Sequence, residues 1–394
     1  MGSHTTGSRE AAGKPAGGSP SGHDLPGSGH GKGSPSHRWR YADLGGVPHC
    51  LGAGQCVHWA AGNSSMLAVR EVIDHTMEKF PGYEPGDFVV TTVEKGGSER
   101  KFYRIRAADR SMILVKYSGH KEENRHYVDI ARFLALSGVQ VPHIYLHDPE
   151  EGLIWMQDLG EEDLWAHRLD PWSTRRPLYE SALIEVFKMH SAATRKLDSC
   201  ELKLEREFNE QLYLWEQGYF FEHCLGNYFN LPPGEIRRLA GLSALQAAAA
   251  RLAALPRVLV HRDFQSQNIL IRGGTAWLID FQGMRPGLPQ YDVASLLMDP
   301  YVALESSERA ELLGFYQRLA RRSGIEVPAD FEEIFHWCSL QRLMQALGAY
   351  GFLGLQKGRK DFLAHIPAAR RSLRETSAHL DGLDEFVRAL DSLP

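Results

Sequence analysis

The sequence predicts an α+β chain of two lobes, a small antiparallel-sheet lobe with one helix followed by a larger, mainly helical lobe. Three observations carry this. Of 394 residues, 43% are hydrophobic and 24% charged, which supplies folded cores in a chain longer than the roughly 250–300 residues one core usually serves. Short runs rich in β-branched and aromatic residues cluster between residues 87 and 157. From about residue 176 onward, helical periodicity dominates.

Taken in order, residues 66–80 read as a short amphipathic helix. Three strand runs follow, at 87–94 (DFVVTTVE), 101–107 (KFYRIRA) and 111–117 (SMILVKY), and they make a meander. A helix over about 121–137 places Tyr127, Ile130, Phe133 and Leu134 on one face, and strands are expected at 142–147 and 152–157. Past Asp158, Leu159 and Gly160, helices are expected over 176–196, 202–229 and 235–254. Short strands near 257–260, 268–271 and 276–280 interrupt them, and helices resume at 290–299, 307–323, 329–353 and 360–379. The lobes so defined are 66–158 and 159–394.

Residues 1–65 differ in kind. They hold 15 of the 38 glycines and 6 of the 18 histidines but three acidic residues, and they follow neither a 3.6 nor a 2.0 period. They read as a disordered low-complexity segment, with Met66 as an alternative start that would leave them untranslated. His49, Cys50, Cys56 and His58 match no standard zinc spacing.

Composition also excludes function classes. Lys plus Arg total 44 against 49 for Asp plus Glu, a net charge of −5, so there is no basic footprint for nucleic acid. The five cysteines are widely scattered, as reduced thiols are in a cytoplasmic protein. No apolar run approaches the ~20 residues of a membrane helix, and the first residues contain no apolar signal core. The expectation is a cytoplasmic protein with neither membrane nor nucleic-acid partners.

The chemistry concentrates in Val260-His261-Arg262-Asp263-Phe264-Gln265-Ser266-Gln267-Asn268-Ile269-Leu270, followed by Leu278-Ile279-Asp280-Phe281-Gln282-Gly283. This has the form H-R-D-x-x-x-x-N, a short hairpin, then D-F at the end of an apolar strand, the arrangement used for phosphoryl transfer. A carboxylate at Asp263 can orient an attacking hydroxyl and accept its proton. Asn268 and Asp280 offer the hard oxygens that Mg²⁺ prefers, and the hairpin returns one beside the other. Singly, Asp263 and Asn268 would pass for turn residues; together in strand context they point to catalysis.

The first lobe is then expected to hold ATP. Lys116 ends the run Ile113-Leu114-Val115, either as a phosphate-pairing lysine partnered by Glu122 or Glu123 or as an ordinary strand-end lysine. Gly96, Gly97 and Ser98 lie between the first two strands, where backbone N–H groups can cover phosphates, although a Gly-Gly pair there is first of all a hairpin turn. Gln157 and Asp158, in the segment linking the lobes, carry backbone groups able to pair with adenine.

These residues resemble the aminoglycoside phosphotransferase and choline kinase superfamily, whose fold is protein-kinase-like, over about 87–375. Within it the chain is most similar to bacterial anomeric amino-sugar kinases that phosphorylate N-acetylmuramate and N-acetylglucosamine at C1 in cell-wall recycling. The segments GGSERKFYRI at 96–105, the stretch 138–165, IDFQGMRPGLPQYDVASLL at 279–297 and LQRLMQALGAYGFLG at 340–354 carry that likeness. The resemblance implies Asp263 as base, Asn268 and Asp280 as Mg²⁺ ligands, and Gly97, Ser98 and Lys116 as nucleotide contacts. It further implies that His261 and Asp292 support the catalytic loop. Gly283-Met284 stands where those kinases often carry Asp-Ala.

Acceptor contacts are sought at Gln282, at Glu207, Glu210, Trp215, Glu216 and Tyr219 on the 202–229 helix, and at Gln341 and Arg342. For Trp215 and Tyr219, spaced i and i+4, a packing stripe is the competing explanation. Gly348, Gly351 and Gly354 read as close helix approach. The expected activity is ATP- and Mg²⁺-dependent transfer of a γ-phosphoryl group to a small hydroxyl acceptor, an amino sugar. An aminoglycoside or choline- or homoserine-like acceptor is the alternative within the class, and a non-catalytic nucleotide-binding pseudokinase the alternative outside it.

Overall fold

A computed structural model describes residues 67–394 apart from 82–83, 94–99, 108–109 and 119–121. The expectations for residues 1–65 lie outside the described residues.

A single five-stranded sheet organises the first lobe. It consists of β1 (Phe88–Val93), β2 (Lys101–Ala107), β3 (Arg110–Lys116), β4 (Ile144–Asp148) and β5 (Leu153–Gln157), antiparallel throughout in the order β1-β2-β3-β5-β4. Strand side chains alternate between faces, so each face has its own cover. Met112, Leu114, Leu153 and Trp155 pack with Val72 and Ile73 of α1 (Val69–Lys79). Ile113, Val115, Ile154 and Met156 join Tyr127, Val128 and Ile130 of α2 (Glu122–Leu136) in a core that continues into the second lobe.

The second lobe is helical, as expected, with boundaries set by local chemistry. The 176–196 helix is α3 (Trp172–Lys188), which widens into a π turn at Met189–Ala193 and ends in α4 (Thr194–Leu197). The helix expected over 202–229 starts later. Residues 202–208 are neither helix nor strand, and the Glu205 and Phe208 amides donate to the carbonyls of Met284 and Pro286 at 3.3 and 2.9 Å. Asn209 then caps α5 (Glu210–Phe220), its side chain accepting from Leu212 N at 2.9 Å. Gly241 divides the 235–254 stretch into α6 (Pro233–Ala240) and α7 (Ser243–Ala254).

The expected short strands are β6 (Val258–Val260), β7 (Ile269–Arg272) and β8 (Thr275–Leu278), and β6 gains a partner in β9 (Arg285–Gly287), which is not among the expected strands. Then come α8 (Pro289–Leu297), α9 (Ser306–Arg322), α10 (Phe331–Gly351), α11 (Ile366–Ser377) and an unanticipated α12 (Asp384–Asp391). Sixteen of the 21 residues of α10 are buried, which makes it the central strut of the lobe. No described helix is long and apolar enough to cross a membrane.

Candidate active site

The loop after β6 begins where the buried run Val258–Val260 ends. Its shape is imposed from beneath by Asp292 of α8, which is fully buried and accepts from the amides of His261 at 2.6 Å and Arg262 at 2.8 Å. The same carboxylate takes His190 Nε2 at 3.0 Å, and Nδ1 of that ring meets the Tyr316 hydroxyl at 2.7 Å. With Nε2–H donating to the carboxylate, Nδ1 accepts from tyrosine, which fixes the tautomer. Arg262 adopts φ 77°, a left-handed backbone an L-residue enters only when its surroundings demand it. The two amides on Asp292 supply that demand.

A second buried carboxylate holds the far end of the loop. Asp299 accepts from Ser266 N at 2.8 Å and Ser266 Oγ at 2.6 Å; its burial drives its pKa upward against those hydrogen bonds. Asn268 donates its amide to the Asp263 carbonyl at 2.9 Å. This leaves the Asn268 side-chain oxygen as its ligand atom, in a cleft whose lining also includes Asp280.

The hairpin is equally determined. Gly273 and Gly274, with φ 58° and 75°, form the two-residue turn between β7 and β8. Asp280 follows β8 at φ 63°. His261 Nε2 lies 3.0 Å from the Ile279 carbonyl, and buried Phe281 stacks on Tyr127 of α2 at 4.9 Å. Asp280 is thus pinned between the loop and the first lobe.

Charge is arranged unevenly. Arg262 NH1 lies 3.8 Å from Asp263 Oδ2 and Arg342 NH2 3.9 Å from Oδ1. Burial alone would raise the Asp263 pKa, but Arg262, Arg342, His261 and Arg285 outweigh it and hold the group below the usual carboxylate range. Glu216, completely enclosed on α5, goes the other way. Its Oε1 accepts from Tyr291 OH at 2.9 Å, yet desolvation pushes its pKa up to about 7 against that bond and the neighbouring arginines.

The cleft between sheet and loop has a volume of about 480 Å³ and is lined by Thr91, Val93, Ile113 and Met156 from the first lobe and by Leu270, Ile279, Asn268 and Asp280 from the second. Gln157 and Asp158 line it too. The Asp158 carboxylate is committed elsewhere, accepting from Arg104 Nε at 2.8 Å, Ser111 Oγ and Gly160 N at 3.0 Å, so what it offers the cleft is backbone.

Several expected contacts fall differently. Lys116 is not brought to the cleft: its Nζ donates to the Glu151 carbonyl at an exposed strand end. The β3 register explains this, since Lys116 pairs with Leu153 at the end of the sheet while Ile113, three residues earlier, reaches the cleft. Gly97 and Ser98 lie outside the described residues, as do the side chains of Glu122 and Glu123. Gln282 joins the site, donating to Asp280 Oδ1 at 3.0 Å and accepting from Arg100 at 2.9 Å. Glu210 is exposed in the first turn of α5. Gln341 is fully buried in α10, its amide atoms without hydrogen-bond partners. Arg342, one position on, reaches the loop by donating to Gln265 Oε1 at 3.1 Å and is held to α8 by donating to Ser295 Oγ at 2.8 Å.

The residues missed by sequence reasoning are Arg100, Arg104, His190 and Asp299. Arg100 and Arg104 are the two arginines of GGSERKFYRI (96–105), and that segment is the only signal the sequence offers for them. His190 and Asp299 act from distant helices and left no local pattern.

Among the described residues no group of three or more His, Cys, Asp or Glu side chains could hold a metal alone. The two hard oxygens at Asn268 and Asp280 instead fit an ion that takes its remaining ligands from water and phosphate, as Mg²⁺ does.

Comparison with known proteins agrees with this geometry. The chain is 27% identical over 303 residues to the N-acetylmuramate/N-acetylglucosamine kinase of Pseudomonas aeruginosa, covering 75% of this chain and 86% of that one. It is 24% identical over 301 residues to the enzyme of the same name from Neisseria meningitidis, covering 75% and 87%. The fold is shared with a choline/ethanolamine kinase family protein from Mesorhizobium loti, at TM-score 0.53 and 17% identity over 82% of this chain and 97% of that one. The model of the phosphotransferase enzyme family matches residues 89–330. Since that match runs from the first strand through the whole of both acidic loops and the helix that braces them, the chain belongs to the phosphotransferase enzyme family.

Proposed function

We propose that the protein transfers the γ-phosphoryl group of ATP to the anomeric hydroxyl of an amino sugar of the N-acetylmuramate or N-acetylglucosamine type, in the cytoplasm where ATP is held. The observation that carries the acceptor class is the electrostatic surround of Asp263. Arg262, Arg285 and Arg342 all act on it, and like charges disfavour a polycationic antibiotic there while a neutral or anionic sugar is accommodated. The curated relatives act, by their names, on such sugars.

Asp263, ionised at neutral pH, accepts a hydrogen bond from the acceptor hydroxyl, aligns its oxygen with the γ-phosphorus and takes the proton as the new P–O bond forms and the bond to the β-phosphate oxygen breaks. Asn268 and Asp280 would hold Mg²⁺. When bound, that ion neutralises charge on the phosphate oxygens. Asp292 and Asp299 keep the loop in place, and most of the catalysis is this positioning.

The test is ATP consumption by the full chain with Mg²⁺ against N-acetylmuramate, N-acetylglucosamine, other hexoses, choline, homoserine and kanamycin, with the product read by ³¹P NMR. An acid-labile C1 phosphate is expected. Turnover on kanamycin or choline alone would overturn the acceptor assignment, and ATP binding without turnover on any acceptor would favour the pseudokinase.

A further inference from the structure

Among the described residues lining the nucleotide cleft, the cations are Arg100 and Arg104. Arg104, on β2, is spent. Its Nε and NH2 grip Asp158 at 2.8 and 3.2 Å, NH2 also reaches the Gly160 carbonyl at 3.1 Å, and NH1 meets Glu161. Only 4% of its side chain is exposed, and it ties the sheet to the segment linking the lobes. Lys116, the strand lysine, is turned outward.

Arg100 is placed differently. It immediately precedes β2, its NH2 is ion-paired to Asp280 Oδ1 at 2.5 Å and its NH1 donates to Gln282 at 2.9 Å. Its guanidinium lies 5.8 Å from the ring centroids of both Phe102 and Tyr127, and 11% of the side chain is exposed. A guanidinium is a planar fork with several donors matched to phosphate oxygens. Here it rests on the carboxylate that a nucleotide-bound divalent cation would claim.

We propose that Arg100 is the phosphate-binding cation of this cleft, exchanging Asp280 for the phosphate chain of ATP when the nucleotide arrives with its divalent cation. This rests on the kinase reading above. Two consequences follow from charge alone. The benefit of Arg100 grows with the number of phosphates on the ligand. The exchange also strands the Asp280 carboxylate unless a divalent cation replaces the arginine, so Mg²⁺ widens the preference for ATP over adenosine.

Calorimetric dissociation constants for adenosine, AMP, ADP and ATP, with and without Mg²⁺, test this in the full chain and in R100M, R100K and K116M. The expected result is a loss of at least about tenfold for ATP and ADP in R100M, with adenosine within about twofold of wild type. R100K should fall between, because it keeps the charge and loses the fork, and K116M should match wild type throughout. Equal losses for adenosine and ATP would mean that Arg100 only shapes the cleft and would overturn the proposal. Unchanged or tighter ATP binding in R100M would do the same, as would a phosphate-dependent loss in K116M. R100K guards against a folding defect in R100M. A wild-type protein that binds no ATP at all would instead bring down the kinase reading itself.

Discussion

Two carboxylates close to the loop are driven in opposite directions by their surroundings. Asp263 is surrounded by guanidinium groups and stays ionised; Glu216 is sealed in and keeps its proton up to about pH 7. On the proposed mechanism, D263N removes the proton acceptor while keeping shape, so kcat should fall by about 10²–10⁴. ATP affinity, measured separately by calorimetry, should stay within about twofold, and equal loss of both would mark Asp263 as structural. Glu216 makes a stability prediction. Its folded pKa, about 7, lies above the ordinary 4.5, so its contribution is fully present below pH 4.5 and is lost as pH rises through 7. The loss amounts to about 3 kcal/mol at most. E216Q keeps an acceptor for Tyr291 and cannot ionise, so urea unfolding at pH 5 and pH 8 should show a smaller difference for the variant than for wild type. An undiminished difference would place the pH dependence elsewhere. Legibility follows the same scale. Asp263, Asn268 and Asp280 stand out because their pattern is confined to one loop and one hairpin. Arg100 pairs with Asp280 across 180 residues, and no local window contains such a pair.

At the scale of elements, what the sequence misjudges is where one regular stretch hands over to another. The apolar content of residues 202–208 satisfies a helical period, but the structure uses that content to lay an irregular segment beside β9, burying Phe208 against Tyr291 at 4.5 Å. Tertiary packing overrides the local pattern, and the Asn209 cap was the boundary signal available. β9 contains Pro286, which argues against a strand on sequence alone. By contrast, the glycines of α10 are read correctly as close-approach positions. A Cβ on Gly351 would lie 2.2 Å from the His223 carbonyl oxygen and 2.7 Å from its carbon, backbone atoms that cannot step aside. On Gly354, in the π turn after α10, the same atom would meet the side chain of Leu363. G351A should therefore cost about 1–3 kcal/mol or more, and G354A less, because a leucine can change rotamer. Thermal or urea unfolding of the two variants decides this. Equal cost for both would show that the backbone around His223 shifts to accommodate the Gly351 methyl.

Across the whole molecule the sheet separates two apolar assemblies, and the division does not coincide with the lobes. Val72 and Ile73 of α1 pack on the outer face with Trp155, whose indole donates to Thr76 at 3.0 Å. The inner face, through Ile113, Val115, Ile154 and Met156, belongs to the same continuous core as α3, α5, α8 and α10. The order of the lobes is legible in the sequence because strand and helix periods are local. The continuity of the core across them is not, since it depends on which face each strand turns toward α2. A shared core couples the lobes thermodynamically, so heating should unfold the sheet and the helical lobe together. On the proposed function, nucleotide bound in the cleft would bridge the same two parts and stabilise them by mass action, about 2.7 kcal/mol at a hundredfold excess over Kd. For a chain of this size that corresponds to a rise in Tm of about 4 °C. Scanning calorimetry of the full chain, with and without ADP and Mg²⁺, should show one principal transition that moves as a unit. Two resolved transitions, with the nucleotide moving only one, would mean that the inner-face core is too weak to join the lobes and that each unfolds on its own.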